Sequence, residues 1–301
     1  MLYFLTNPKK QAPWQVDYEN LYQSLLTVPY KVLTDRSHLG ELNEKDILWI
    51  QHFSDIDTPE TRACKARKMA QVNGTAVNPY IGAVDKKQEE IEYNEILDIA
   101  LVFDSVISST MKHAYPKVDF WRVGFPIPEI KLPQVEKKKQ ICIAGRLDTY
   151  KNVNINIWLT ENLRRKGYKV IFCYPDKDVQ AERVPLYKPE KFDNLEFRRC
   201  TKDEWLKVAN ESEFYLLTSF DDVCSVSMWE AYYAGCYLLI PDIQTGIIRY
   251  PAYVNPQFHA FDRDSLECLV ETKPRQDINT INIIPQKCVE RLEEYLNEES
   301  L

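Results

Sequence analysis

Short apolar runs of strand length recur along the chain, and most are followed by a stretch with apolar residues at helical spacing. The runs predict strands at residues 2–6, 30–33, 46–53, 98–103, 119–123, 140–144, 168–174, 195–199, 214–217 and 237–240. Helical spacing or start signals predict helices at residues 18–26, 105–112, 153–166 and 288–298, after Pro59, after Thr201, and through Glu230 to Gly235. This order of elements is typical of an α/β protein.

A proline-rich segment divides the pattern into two halves. Prolines at positions 126, 128 and 133 disfavour both a helix and a central strand, and Lys137, Lys138 and Lys139 keep its end solvated. A chain of 301 residues is long enough for two domains of common size. We therefore predict an N-terminal domain at residues 1–126, a linker at 127–139, a second domain at 140–283 and a closing helix at 284–301.

Composition narrows the class of protein. The formal net charge is −7 and the pI is near 5.3, which disfavours a general nucleic-acid coat but permits a local basic patch. The eight cysteines form no C-x-x-C pair, so we expect reduced thiols and no zinc knuckle. The sequence has no signal peptide and no run of about 18 apolar residues. These features predict a soluble cytoplasmic protein without a membrane span, in the host cytoplasm if it is viral.

The stretch at residues 218–246 carries the strongest site signal. It is predicted to contain a loop with Asp222, then a helix and a buried strand. Ser225 lies at the predicted helix start, where backbone N–H groups without an intrahelical partner can point at a phosphate or carboxylate. Glu230 follows five residues later. The pattern indicates an anion site; the alternative is an ordinary buried strand-to-helix turn with a surface acid.

A second candidate loop follows the predicted strand at residues 140–144. Gly145 permits a tight backbone turn, and Arg146 and Lys151 can reach one diphosphate from two sides of a strand-to-helix loop. Arginine supplies a planar fork of donors and lysine a point charge. The alternative is that both cations only solvate the loop.

Together, the two stretches resemble the donor-binding signatures of group 1 retaining glycosyltransferases of the GT-B fold. The G-R-L-x-x-x-K order at residues 145–151 matches one signature, and an acid, seven residues and Glu230 match the other. Asp222 departs from the family, which usually has Glu there, and its shorter side chain implies a smaller or differently placed donor sugar. Only Gly246 is kept of a Gly-Gly loop. The family's Gly-rich turn after the first strand is absent, which implies a different or reduced acceptor site.

The resemblance implies two Rossmann-like domains that face a central cleft, and retaining transfer of a hexose or pentose by a front-face mechanism. Arg146 and Lys151 would act as catalytic groups that neutralise the donor diphosphate, so no metal and no other cofactor is required. The donor is expected to be a nucleotide sugar, most simply a UDP-sugar. The resemblance implies donor contacts from Gly145, Tyr174, Thr201, Asp222, Ser225, Val226 and Glu230.

Candidate acceptor-side residues lie in the first half of the chain. Gln51 and His52 follow an apolar strand, at the end where open α/β sheets hold their ligands. The resemblance gives His52 a catalytic role in contact with sugar or acceptor, and Asp55 could orient it or act beside it. Gln51 would contact the acceptor. The alternative for His52 is an ordinary satisfied core histidine.

Basic residues follow on the next predicted helix. Pro59 stands in its first turn, and Arg62, Lys65 and Lys68 or Met69 recur at three-residue steps as a basic stripe. Arg62 and Lys65 would hold an acceptor that carries phosphates. A solvated helix face is the alternative.

These features, with the segment around Tyr115, more weakly resemble phage α-glucosyltransferases that modify hydroxymethylated DNA bases. The acceptor would then be modified DNA, and a glycan or a lipid-linked sugar is the alternative. A sugar-nucleotide epimerase would need a histidine near the donor in the second domain, and no matching histidine is seen. An inactive nucleotide-sugar-binding scaffold would have little reason to keep Arg146, Lys151 and Glu230 together.

Overall fold

The computed structural model describes residues 1–7, 13–71, 90–103, 105–147, 151–217, 225–242, 253–254, 257–278 and 280–298. The chain forms two compact units. The first runs to Pro128 and also includes residues 280–298, and the second begins at Glu129 and runs to Ile278. Residues 280–283 thus lie in the first unit, whereas the sequence pattern assigned them to the second domain.

Each unit is built on its own parallel sheet. The strands are β1 Leu2–Leu5, β2 Tyr30–Leu33, β3 Ile47–Ile50, β4 Arg67–Gln71, β5 Ile99–Val102, β6 Asp119–Arg122, β7 Lys138–Ala144, β8 Lys169–Pro175, β9 Leu195–Cys200, β10 Ser212–Leu216, β11 Tyr237–Leu239, β12 Tyr253–Val254 and β13 Asp277–Ile278. The first sheet has the order β2-β1-β3-β4-β5-β6 and the second the order β11-β10-β7-β8-β9. β12 and β13 form a short antiparallel pair.

Helices connect most of these strands. They are α1 Pro13–Leu25, α2 Pro59–Ala63, α3 Ser105–Ala114, α4 Val153–Leu159, α5 Glu161–Arg165, α6 Asp178–Ala181, α7 Lys202–Glu211, α8 Val226–Tyr233, α9 Arg263–Thr272 and α10 Pro285–Glu298, with 3₁₀ turns at Leu39–Glu41, Phe53–Asp55, Val184–Tyr187 and Pro189–Lys191 and a π turn at Glu92–Ile96. Among these described helices, none has the length and apolar character that a membrane crossing requires. The predicted α/β fold class is confirmed.

The core of the first unit is aromatic. Trp49 on β3 is fully buried; it stacks on Phe4 of β1 with ring centroids 4.9 Å apart and meets Tyr22 of α1 edge-on at 4.8 Å. β3 and β5 are buried at all four positions, as expected of central parallel strands covered on both faces. This packing fixes β1 and β3, whose carboxyl ends carry the candidate residues of this unit.

The end of the chain completes the first unit. The amide of Phe125 donates to the carbonyl oxygen of Asn282 at 2.9 Å. Gly124 before it has φ +87°, and a Cβ there would lie 2.4 Å from that same carbonyl oxygen, so only glycine fits. α10 packs on α1 and β6, and its Tyr295 stacks on Trp121 at 5.1 Å. Residues 280–298 are therefore part of the first unit's own packing.

The predicted basic helix after Pro59 is wrong beyond its first turns. Its start is as expected, because Thr58 accepts a hydrogen bond from the Thr61 amide at 3.2 Å and Pro59 stands in the first turn. The helix ends at Ala63, and the chain returns as β4 between β3 and β5. Met69 is fully buried in that strand. The residues after Ala63 have high helix propensity, but their packing as a strand between β3 and β5 outweighs that propensity.

The second unit has an aliphatic and aromatic core around β7, β8 and β10. The sequence predicts one helix at residues 153–166, whereas the structure has two, α4 and α5, with Thr160 between them. Thr160 is fully buried, and its hydroxyl donates to the carbonyl oxygen of Asn156 at 2.7 Å. Such back-bonding to the preceding turn bends or interrupts helices, which accounts for the break.

Candidate functional site

The loop after β7 depends on a glycine. Gly145 has φ +155°, and a Cβ built on it would lie 3.3 Å from Cδ of Lys151. The amide of Gly145 donates to the Cys173 carbonyl oxygen at 3.1 Å, which keeps the turn on the sheet. The bare backbone therefore lets the lysine stem lie directly against the end of β7.

Buried hydrogen bonds hold this loop at both ends. The Leu147 amide donates to Oε1 of Gln180 on α6 at 2.6 Å, and the Leu147 carbonyl oxygen accepts from the Tyr187 hydroxyl at 3.1 Å. At the other end, Nδ2 of Asn156 donates to the Lys151 carbonyl oxygen at 3.0 Å. The Leu147 carbonyl oxygen also accepts from Nη1 of Arg183 at 3.3 Å, so the backbone on either side of the predicted diphosphate loop is anchored by side chains.

A narrow cavity with room for about 10 Å³ lies beside this loop, and we call it the β7–β10 cavity. Gly145, Arg146 and Lys151 line it, together with the carboxyl end of β10 at Leu216 and Leu217. In the order β11-β10-β7-β8-β9, the chain's crossovers reverse direction between β7 and β10. Ligands of open parallel sheets bind at such a reversal, outside the carboxyl ends of the strands. The structure thus brings three predicted donor-side residues to the expected topological position.

The start of α8 connects to the same cavity through Tyr215. Tyr215 lines the β7–β10 cavity, and its hydroxyl is 2.9 Å from Oγ of Ser227 in the first turn of α8. Ser225 precedes that helix with extended backbone and is 4% exposed, and Val226 is the first helical residue. The helix N-terminus carries amides that can face an anion, as the sequence predicts.

Glu230 is a buried residue that contacts neighbouring side chains. It is 7% exposed, and its Oε2 accepts a hydrogen bond from Trp205 Nε1 at 2.8 Å. Nζ of Lys202 is 3.8 Å from Oε1. Both partners come from α7, and sequence reasoning missed them. The available signal was Trp205 itself, because a buried indole N–H needs an acceptor.

Two further predicted donor residues lie at the carboxyl ends of β8 and β9. Tyr174 is buried near the end of β8, and Thr201 is the cap of α7. The predicted cap is confirmed: the Thr201 amide donates to Oε2 of Glu204 at 2.8 Å, and this bond and one from the Thr201 hydroxyl lower the pKa of Glu204. A contact of Tyr174 or Thr201 with a nucleotide stays a prediction.

Some predicted residues lie outside the described part of the chain. They are Asp222 with the rest of residues 218–224, the loop at 148–150, and residues 243–252 with Gly246.

In the first unit, Gln51 and His52 follow β3 and are 8% and 7% exposed. The Gln51 amide donates to the Leu5 carbonyl oxygen at 3.1 Å. Its side-chain Nε2 is buried and has no hydrogen-bond partner among the residues that the structure describes. Nδ1 of His52 accepts from the Ser54 amide at 3.2 Å and is 2.8 Å from the Ser54 hydroxyl. Both side chains lie at the carboxyl edge of the sheet, as predicted.

Asp55 is more deeply buried than the histidine, at 3% exposure. Nδ2 of Asn7 donates to its Oδ2 at 3.2 Å, and Nε of Arg36 is 3.9 Å from its Oδ1. The described partners of the carboxylate are therefore Asn7 and Arg36, and a role for Asp55 beside His52 stays a prediction.

Solved structures share this architecture along the whole chain. HepE of Anabaena, in complex with UDP-glucose, aligns over 99% of both chains with a TM-score of 0.71 and 10% identity. The structural neighbours are GT-B glycosyltransferases. This chain has the GT-B fold. The GT-B match also includes S. aureus TarM (TM-score 0.60, 13% identity, 85% of this chain) and the pneumococcal O-GlcNAc transferase GtfA (0.56, 14%, 88%).

The GT-B likeness is structural rather than sequence-based. The chain matches no protein-family model and no curated protein sequence. It spans 56% of the TarM chain and 59% of the GtfA chain, so these neighbours carry more than this fold. At identities of 10–14%, the comparison establishes the GT-B architecture, and the predicted fold is confirmed.

The basic residues predicted for the acceptor do not lie on one helix in this GT-B chain. Nε of Arg62 is 2.6 Å from Asp57 and Nη1 is 3.1 Å from Glu95, and these hydrogen bonds raise the pKa of Arg62. Lys65 lies beyond the end of α2, and Lys68 is on β4. The helical stripe is therefore wrong, because its members belong to different elements. Phosphate binding by Arg62 and Lys65 stays a prediction.

No metal cluster is evident in the ranges that the structure covers: there, no group of three or more His, Cys, Asp or Glu side chains could hold an ion. The candidate chemistry is instead cationic in the β7–β10 cavity and carboxylate-rich in the first unit.

Proposed function

We propose that this chain is a retaining glycosyltransferase that moves a sugar from a nucleotide sugar, a UDP-sugar, to an acceptor hydroxyl. The observation that carries the proposal is the β7–β10 cavity, where Gly145, Arg146 and Lys151 meet at the reversal of a GT-B sheet. HepE was crystallised with UDP-glucose and GtfA with UDP and GlcNAc. Those ligands support the donor class.

The two cations would stabilise the leaving group. As the bond between the sugar C1 and the phosphate oxygen breaks, negative charge grows on the diphosphate, and preorganised donors there lower the barrier. Arg146 supplies a bidentate fork and Lys151 a point charge. The amides at Ser225 and Val226 would add the positive end of α8. In this proposal the protein's own cations neutralise the diphosphate.

Glu230 would accept hydrogen bonds from the ribose hydroxyls. Its Oε2 already accepts from Trp205, while Oε1 is 3.8 Å from Lys202. Trp205 would fix the orientation of the carboxylate, and Asp222 would hold hydroxyls of the transferred sugar.

Retention follows in this proposal from a front-face reaction. The acceptor oxygen bonds to C1 on the side from which the phosphate departs, and the acceptor's proton passes to the departing phosphate oxygen. His52 and Asp55 are the first-unit candidates for contact with the acceptor. The acceptor is a hydroxyl of a glycan or a hydroxymethylated DNA base, and in the second case Arg62 and Lys65 would contact the DNA backbone.

A donor screen tests the proposal. We expect one UDP-sugar to raise the melting temperature of the protein and to be consumed, and NMR of the product to show the donor's anomeric configuration. Half of the samples would contain hydroxymethylated DNA and half a pool of neutral oligosaccharides. If no nucleotide sugar stabilises the protein, the inactive-scaffold alternative is favoured. An inverted product would contradict the front-face step.

A further inference from the structure

A second cavity lies at the carboxyl edge of the first sheet, and we call it the β1–β2 cavity. It has a volume of about 420 Å³ and is lined by the ends of β1 and β2 and by residues that follow β3. In the order β2-β1-β3-β4-β5-β6, the crossovers reverse between β1 and β3, so the end of β1 that lines this cavity borders the position where open sheets hold ligands. The volume is in the range of small-molecule sites. The fold therefore offers a binding position here independently of the β7–β10 cavity.

A buried carboxylate lines this cavity with unused acceptor capacity. Asp55 is 3% exposed, and its Oδ2 accepts one hydrogen bond, from Asn7. Its Oδ1 is 3.9 Å from Arg36 Nε, too far for a hydrogen bond, and accepts none from other described residues. Because Asp55 lines the cavity, this oxygen can accept a hydrogen bond from a ligand hydroxyl or from solvent.

Arg36 supplies the complementary donors. Its side chain lines the cavity and makes two loose ion pairs, at 3.9 Å to Asp55 and 3.5 Å to Glu60. A guanidinium carries five N–H donors, and within the described residues none of those of Arg36 makes a close hydrogen bond. Donor and acceptor groups thus stand side by side on one wall. A hydroxyl group, which both donates and accepts, matches that wall.

The charge of the lining decides which ligand class fits. The described lining has three carboxylates, Asp35, Asp55 and Glu60, against the one guanidinium of Arg36. Hydrogen bonds from the Ser37 hydroxyl and amide lower the pKa of Asp35, so it is ionised at neutral pH. A net negative wall repels phosphate, sulfate and carboxylate groups. An uncharged ligand meets no such repulsion.

We propose that the β1–β2 cavity binds a neutral polyhydroxylated ligand, a sugar unit of a glycan, through hydroxyl hydrogen bonds to Asp55 and Arg36. The identification of this ligand as the acceptor of the transfer rests on the proposed function; binding itself does not. Hydroxymethylated DNA, whose backbone is anionic, is disfavoured at this site.

Binding without donor tests this directly. Fluorescently labelled protein would be applied to an array of neutral oligosaccharides, their matched uronic-acid and sulfated analogues, and a hydroxymethylated DNA duplex. We expect the strongest signals from neutral glycans, with each acidic analogue at least about tenfold weaker than its neutral match. A preference for acidic glycans or DNA, or no binding of any neutral glycan, overturns the proposal.

Variants locate the binding. Asp55→Asn removes the charged acceptor and should weaken the best neutral glycan at least about tenfold. Glu60→Gln, on a more exposed side chain, should keep neutral binding and reduce the discrimination against acidic analogues. As matched control, Asp119→Asn removes a carboxylate of the same unit, paired with Arg67 at 3.2 Å and outside the cavity, and should change binding by less than about twofold.

The outcomes separate the two proposals. If Asp55→Asn does not fold, Glu60→Gln alone decides, and unchanged discrimination in that variant overturns the cavity assignment. Folding of each variant is checked by its melting curve. Stabilisation by a UDP-sugar is measured on the same samples. Donor binding without glycan binding would overturn the proposed glycan site and leave the proposed function standing. Glycan binding without donor binding would overturn the proposed function and leave the glycan site standing.

Discussion

Each unit places a cavity at the carboxyl edge of its own parallel sheet, and the two cavities are lined with opposite charge. In the second unit the wall between β7 and β10 carries Arg146 and Lys151, whereas the wall beside β1 and β2 carries Asp35, Asp55 and Glu60 around one arginine. The parallel sheets fix where a ligand can bind, because strand ends and helix starts converge there. The loop side chains then decide what binds. One architecture, used twice, thus presents two walls of different charge.

The loops after β7 and after β1, which line the two cavities, differ in their backbones. The cationic loop uses Gly145 to bring the lysine stem within 3.3 Å of the position of a Cβ. The corresponding turn after β1 runs through Thr6 and Asn7 and has no glycine. At that turn the contact is made by a side-chain amide, because Nδ2 of Asn7 donates to Oδ2 of Asp55 at 3.2 Å. A phosphate needs close approach of backbone and cation, whereas hydroxyl groups are held by side chains.

The largest expected effect comes from the cationic wall. Lys151→Ala removes a charged contact to the diphosphate, worth about 2–5 kcal/mol, so kcat/KM for transfer should fall about 30-fold to several thousand-fold. Glu230→Ala should lower kcat/KM as well, because a charged contact to the ribose is lost. The melting temperature should stay nearly constant for Lys151→Ala, whereas Glu230→Ala also removes the acceptor of the buried Trp205 N–H, so its free energy of unfolding should fall by about 1–3 kcal/mol. Lys207→Ala, an exposed lysine on α7, is the control. Unfolding of either variant with activity per folded molecule intact would refute the site.

The glycine gives the next largest effect. Gly145→Ala forces an unfavourable backbone and pushes on the Lys151 stem, so the free energy of unfolding should fall by about 1–3 kcal/mol and stabilisation by UDP should shrink. Around Gly40 in the first unit, no atom lies within 4 Å of where a Cβ would stand, and Gly40→Ala should cost less than about 0.5 kcal/mol. Denaturant titration of both variants measures this. Equal effects would show that Gly145 has no special role.

Trp205→Phe isolates the support of Glu230. The change keeps an aromatic ring and removes the N–H that donates to Oε2 at 2.8 Å, so UDP affinity should fall about tenfold. Trp158→Phe, on a half-exposed side chain beside Arg263, should leave affinity unchanged. Calorimetric titration with UDP gives both values. Unchanged affinity in Trp205→Phe would mean that the indole bond only stabilises the fold.

The smallest expected effect is that of salt concentration on ligand binding, which should differ between the two cavities. Screening weakens attraction at a cationic wall and repulsion at an acidic one, with a Debye length of about 8 Å at physiological ionic strength. From about 50 to about 300 mM salt, UDP binding should weaken by about twofold to fivefold, while binding of acidic glycan analogues should strengthen by a similar factor. Parallel titrations measure this. If both ligands respond in the same direction, the two walls do not differ as described.

Much of the fold and one of the two cavities can be predicted from the sequence. Buried parallel strands are short apolar runs, and the donor loop has Gly145, Arg146 and Lys151 close together in the sequence, so its members meet through local geometry. The β1–β2 cavity has no such pattern, because Asn7, Arg36 and Asp55 follow three different strands and meet only when the sheet forms. The same limit explains the wrong basic helix, since helix propensity cannot reveal that Met69 must fill a central strand.

The return of residues 280–298 to the first unit has a consequence for synthesis. As the ribosome releases the chain from its N-terminus, β1 to β6 emerge first, yet Phe125 and Trp121 still lack Asn282 and Tyr295. At about 5–20 residues per second, the intervening segment takes roughly 10–30 s to translate. The first unit is therefore synthesised first but completed last. During that interval, the surfaces of α1 and β6 that contact α10 stay uncovered. Nascent-chain protection by chaperones is most needed at that stage.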